Sequence, residues 1–210
     1  MRTKKCVNNQ NQSPRRSFIE QARRRQIIEA TIDVLAEHGY VNCSFSRIAK
    51  QAEISPSLIS YHFKDKEELT SEVRNSIYSD RLQNVKESIA KAESWGEKLR
   101  ISIESDMYYM GNRPKLFRAL IEVLFSERDS TGKPKHMTDT DPPMLILLRD
   151  ILISGQKDGE FGSFDPYNLA LLIDGAKDQF LAQLPTRPSF DLKAFTETLA
   201  AFAMQAVRKN

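Results

Sequence analysis

The sequence predicts an all-α chain: a three-helix helix-turn-helix head on a larger helical body. Three observations carry this. Apolar residues recur at spacings of three and four along most of the chain, with no period-2 runs. Helix starts are marked by Ser or Asp caps and by proline at the first helical position. Two of the predicted helices are short and separated only by Ala52–Ile54, the spacing of a helix-turn-helix.

Length and composition set the frame. The chain has 210 residues, 40% of them hydrophobic, enough for a sizeable core in one or two domains. No run of 18 apolar residues occurs, so no membrane span is expected. Cys6 and Cys43 form no metal or redox motif, which suits a reduced, cytoplasmic home and a passive thiol at Cys43. Net charge is +3, but unevenly spread. Residues 1–66 carry 12 Lys and Arg against 6 Asp and Glu; the rest carry 19 against 22. A basic head on a mildly acidic body suits a head that meets phosphate.

Residues 1–16 read as a disordered basic tail, a candidate arm for extra DNA contacts. The head is expected over residues 17–64. Its first helix runs from about Ser17 to His38, ended by Gly39. Ser44 caps a helix over Phe45–Gln51, and Ser55 with Pro56 opens the next. Ile48, Ala49, Leu58, Ile59 and Phe63 point inward and Ile54 plugs the turn. Pro56, Ser57, Ser60, Tyr61 and His62 face outward and include no acid. Small residues let a helix approach DNA closely, while Tyr61 and His62 can reach phosphates or base edges. The candidate DNA-reading set is therefore Ser55, Pro56, Ser57, Ser60, Tyr61 and His62, with Ser44 and Lys66 on phosphates.

The run Ile48-Ala49-x-x-Ala52…Leu58-Ile59-x-Tyr61-His62-Phe63-x-x-Lys66-Glu67-x-Leu69 resembles the DNA-binding domain of TetR-family one-component regulators. The resemblance spans about Arg25 to Val73. It departs at Glu53, where the family often has glycine. It implies a homodimer on a palindromic double-stranded DNA operator, released by a small-molecule effector. Leu171–Gly175, together with Ile59–Phe63, is similar to the BetI-like branch, several of whose members respond to choline-like cations. A protein-partner module of the same fold and an activator are the alternatives. Residues alone do not separate repressor from activator.

The body is expected over residues 65–210. Asp65 opens a helix to about Lys91, about 40 Å long, tying head to body. Further helices are expected over Ser94–Met110, from Pro114, over Met144–Lys157, from Asp165-Pro166 to about Leu184, and from Asp191. Residues 127–142 read as a loop. By the resemblance, the last two long helices form the dimer bundle and the middle helices hold the effector. Trp95, Met107, Tyr108, Phe117 and Phe125 are candidate lining, beside Tyr109, Met144 and Phe180. Asp174 stands within an apolar helical run and needs a partner: Lys177, an arginine or a ligand cation. No nucleotide-binding or nucleophile motif occurs, and the three histidines share no ligand spacing. No enzyme activity, cofactor or metal is expected.

Overall fold

The structure is a computed structural model describing residues 14–128, 131–133, 141–187 and 189–209. The expected tail (mostly residues 1–13, with Cys6) and much of the 127–142 loop, including His136, lie outside the described residues.

Among the described residues there are nine α-helices: α1 Pro14–Asn42, α2 Phe45–Gln51, α3 Pro56–His62, α4 Lys66–Ile89, α5 Trp95–Gly111, α6 Pro114–Ser126, α7 Pro143–Lys157, α8 Pro166–Gln183 and α9 Leu192–Ala206. A 3-10 turn at Leu184–Thr186 follows α8. α1 starts earlier than the sequence suggests and breaks at Gly39, where φ is +74°. Only glycine adopts that backbone at little cost. A Cβ there would also lie 3.1 Å from the Glu122 carboxylate.

The caps are those the residue types dictate. Side-chain oxygens of Ser44, Ser55, Asp65, Ser94, Asp165 and Asp191 each accept from a backbone N–H of the first turn. At α4 the capping is reciprocal: Glu68 N donates to Asp65 and Lys64 N to Glu68, both at 2.8 Å. In the turn after α2, Glu53 has φ +54°, the one non-glycine residue with positive φ among those described. Ile54 N donates to Ala49 O at 3.0 Å, closing the turn.

Ile27, Leu35, Ile48, Ile59, Phe63 and Leu69 form the enclosed centre of the head. The core continues through Val73, Ile77, Leu99, Ile103, Met107 and Leu148 into the body. α1 packs along α6, α4 along α5, α5 along α9 and α7 along α8. On α8 and α9, Leu171, Leu172 and Phe202 stay half exposed or more, an apolar surface the monomer leaves uncovered.

Candidate nucleic-acid interface and effector cavity

α3 presents the outward set on one open face: Ser55, Pro56, Ser57, Ser60 and Tyr61 are exposed and His62 is half-buried. Ser55 Oγ accepts from Leu58 N and lies 2.9 Å from Ser57 Oγ, while Ser60 Oγ donates to Pro56 O. These hydroxyls fix the helix start and remain at the surface. Tyr61 is 76% exposed, its ring edge-on to His62 at 5.1 Å. Burial lowers the His62 pKa, so the imidazole is neutral at pH 7 and can both donate and accept. Ser44 is exposed and caps α2.

Lys66, expected on phosphate, is placed differently. Its ammonium donates to Tyr40 O and sits 4.0 Å over the Tyr40 ring. Position 66 is the first residue of α4, so the long side chain folds back over the end of α1 and holds the head. Arg24 acts similarly. It donates to His62 O at 2.6 Å and stacks 4.3 Å from the Phe63 ring, closing the end of α3. Cys43 is buried, and burial pushes its thiol up to about 11, which leaves it protonated.

The body grips the head through α6 as well. Glu122 accepts from Tyr40 N at 2.9 Å, and Lys115 reaches Asp33 at 2.9 Å. At the end of α6, buried Glu127 pairs with Arg74 at 2.7 Å and accepts from Thr70, both on α4.

A cavity of about 310 Å³ opens between α4, α6 and α8. Its wall is mostly apolar, with Phe117, Leu120, Ile121, Leu124 and Phe125 from α6 and Tyr78 from α4. Arg81 comes from α4, and Asp174, Gly175, Asp178 and Gln179 from α8. Of the candidates named from sequence, Phe117, Phe125 and Asp174 line it. The others do not. Trp95 Nε1 donates to Asp158 at 2.7 Å beside the start of α5. Met107 is core, and Tyr108 points outward. Tyr109 lies under Arg113, Met144 is core, and Phe180 stacks on Phe190 and Phe195.

Behind the cavity lies an ionic cluster that the sequence reading missed except for Asp174 and Lys177. Asp106 takes two hydrogen bonds from Arg81, one of them at 2.7 Å, and one from Lys177 at 2.6 Å. Lys177 lies 2.9 Å from Asp174, and Arg81 lies 3.7 Å from Asp178. Burial works against the charge on Asp106, but the two cations outweigh it and hold the carboxyl below its usual range. Asp178 shifts the other way. Burial, opposed by Arg81 and reinforced by Asp174, pushes it up to about 6. Among the described residues no His, Cys, Asp and Glu group could hold a metal, and no helix is long and apolar enough to cross a membrane.

A capped helix-turn-helix with an acid-free outward face, mounted on an all-helical body with a cavity, is a TetR-like all-α fold. Residues 27–73 match the model of the bacterial regulatory proteins, tetR family, so the head is a DNA-binding domain of that type and the chain a transcriptional regulator. The chain is 27% identical over 135 residues to the fatty acid metabolism regulator protein of Bacillus subtilis (strain 168), covering 64% of this chain and 69% of that protein. It is similar in fold to the fatty acid degradation regulator FadR of Bacillus halodurans (TM-score 0.76, 22% identity, 96% of this chain and 100% of that one). It is also similar in fold to a transcriptional regulator of Saccharomonospora viridis in complex with choline (TM-score 0.76, 21% identity, 90% and 100%). FadR of Bacillus subtilis, in complex with stearoyl-CoA, superposes with a TM-score of 0.75 at 24% identity over 88% of this chain and 99% of that one.

Proposed function

We propose that the chain is a homodimeric repressor, released from a palindromic operator when a small molecule enters the cavity between α4, α6 and α8. One observation carries this reading. Two of the three helices that wall the cavity also hold the head, α4 through Lys66 on Tyr40 O and α6 through Glu122 on Tyr40 N. A ligand that separates α4 from α6 therefore strains both attachments of one residue at the end of α1. Linkage sets the limit: the ligand shifts the head only by its preference for the released conformation.

The exposed Leu171, Leu172 and Phe202 support a dimer through α8 and α9, which would pair two heads on two half-sites. Ser55, Pro56, Ser57, Ser60, Tyr61 and His62 read the site, and Ser44 lies beside its phosphates. The DNA-binding unit is α1–α3, working in the cytoplasm, where the operator is. The solved relatives offer two effector chemistries, an acyl-CoA and choline, and the BetI-like run Leu171–Gly175 borders the cavity at Asp174 and Gly175.

The test is to retain random genomic fragments on the purified protein, sequence them, and follow the enriched site by fluorescence anisotropy. A single palindrome bound about a thousandfold more tightly than random DNA is expected. Salt-sensitive binding with no enriched site would overturn the specific-repressor reading.

A further inference from the structure

Resting on that reading of the cavity, we propose that its ligand is a lipophilic monocation, with its ammonium against Asp174 and Asp178 and its apolar body between α4 and α6.

The charges behind the wall do not balance. Two cations, Arg81 and Lys177, face three carboxylates, Asp106, Asp174 and Asp178. Both cations are enclosed and give their hydrogen bonds to Asp106. Asp106 is thus satisfied, and it lies away from the cavity wall. The two remaining carboxylates line the cavity. Asp174 is 8% exposed, and its Oδ1 lies 2.9 Å from Lys177 Nζ without hydrogen-bond geometry. The nearest cation to Asp178 Oδ1 is Arg81 at 3.7 Å. Both oxygens are enclosed and neither receives a hydrogen bond. An enclosed carboxylate oxygen that receives no hydrogen bond is costly even beside a cation, and a donor cation in the cavity would supply the missing bond.

The rest of the wall fits the other half of such a ligand. Phe117, Phe125 and the Tyr78 ring give apolar surface and aromatic faces. An anion is disfavoured, since it would face one uncompensated negative charge across a low-dielectric space. An acyl-CoA could place only its uncharged chain here, leaving both oxygens unmet.

The decisive experiment is calorimetry on the full chain with three probes below their micellar concentrations: octylammonium, octanol and octanoyl-CoA. Operator release is read in parallel. The cation should bind about tenfold or more tighter than octanol, the scale of one charge-assisted contact. Asp178→Asn should lose about tenfold for the cation and nothing for octanol. That variant removes the excess charge and should fold, which a thermal melt checks; Asp178→Glu should keep most of the cation affinity. Gly175→Leu should weaken both ligands, because a Cβ there meets open space and a larger side chain would fill the cavity. Octanol or octanoyl-CoA binding as tightly as the cation, or an Asp178→Asn protein that keeps its cation affinity, overturns the proposal. If octanoyl-CoA alone releases the operator, the charge class falls and the ligand-released repressor stands. If no probe binds, the effector reading of this cavity falls with it.

Discussion

Glu122 of α6 accepts a hydrogen bond from the backbone N–H of Tyr40 at 2.9 Å, 82 residues earlier in the chain. That amide directly follows the break at Gly39, so the carboxylate caps a helix break in another part of the molecule. Glu122→Ala leaves the amide without its acceptor. A stability loss of about 1–3 kcal/mol is expected in urea unfolding. Hydrogen exchange at the Tyr40 amide should speed up about tenfold or more. Unchanged exchange at that amide would mean the contact does not hold the head.

Tyr61 is the most exposed aromatic residue on the outward face of α3, and its ring contributes little to the core. Tyr61→Ala should weaken operator binding by about 1–3 kcal/mol with no change in the melting temperature. Anisotropy with the operator and with random DNA separates loss of specificity from loss of charge. Equal affinity for the operator would remove Tyr61 from the interface.

Lys66 is held by Tyr40 through both carbonyl and ring. Lys66→Ala should therefore cost about 1–2 kcal/mol of stability, from one charge-assisted hydrogen bond and one cation–π contact. The salt dependence of DNA binding should stay as it was. A slope reduced by about one, at unaltered stability, would return this lysine to the phosphate backbone.

Glu53 occupies a left-handed position where glycine sits more easily. The side chain is exposed, so little packing is lost on removing it. Glu53→Gly should stabilise the protein by about 0.5–1 kcal/mol, the relief of strain offset partly by the freer unfolded chain. A lower unfolding midpoint would show that the glutamate makes a compensating interaction.

Asp106 neutralises two enclosed cations, so Asp106→Asn should cost about 3–5 kcal/mol near neutral pH. The pH dependence has a definite sign. The folded-state pKa is depressed, so the stabilisation is complete above the unfolded-state value of about 3.9 and is lost as pH falls through the folded-state value. The deficit of the variant should therefore shrink in melts taken progressively below pH 4. A constant deficit down to acid pH would mean packing, not charge, accounts for it.

The sequence by itself determined the helices and the outward face of α3. Caps and periodicity act within a few residues, so Ser44, Ser55-Pro56, Asp65, Ser94, Asp165 and Asp191 mark helix starts that need no distant partner. An outward face is likewise a property of one helix. The cavity and the cluster behind it were decided only by tertiary packing. Asp106 and Arg81 are 25 residues apart, and Asp106 and Lys177 are 71 apart. On its own helix each reads as an ordinary surface charge. The one local sign was Asp174, Lys177 and Asp178 crowded on a single apolar helix, and it was only half read. The same reason explains Lys66 and Trp95. Both side chains are long enough to choose between solvent, a ligand and a neighbour, and the neighbours (Tyr40 for one, Asp158 for the other) come from distant parts of the chain. Local spacing fixes where a helix begins and which side is apolar; which charges meet inside is set by how the helices cross.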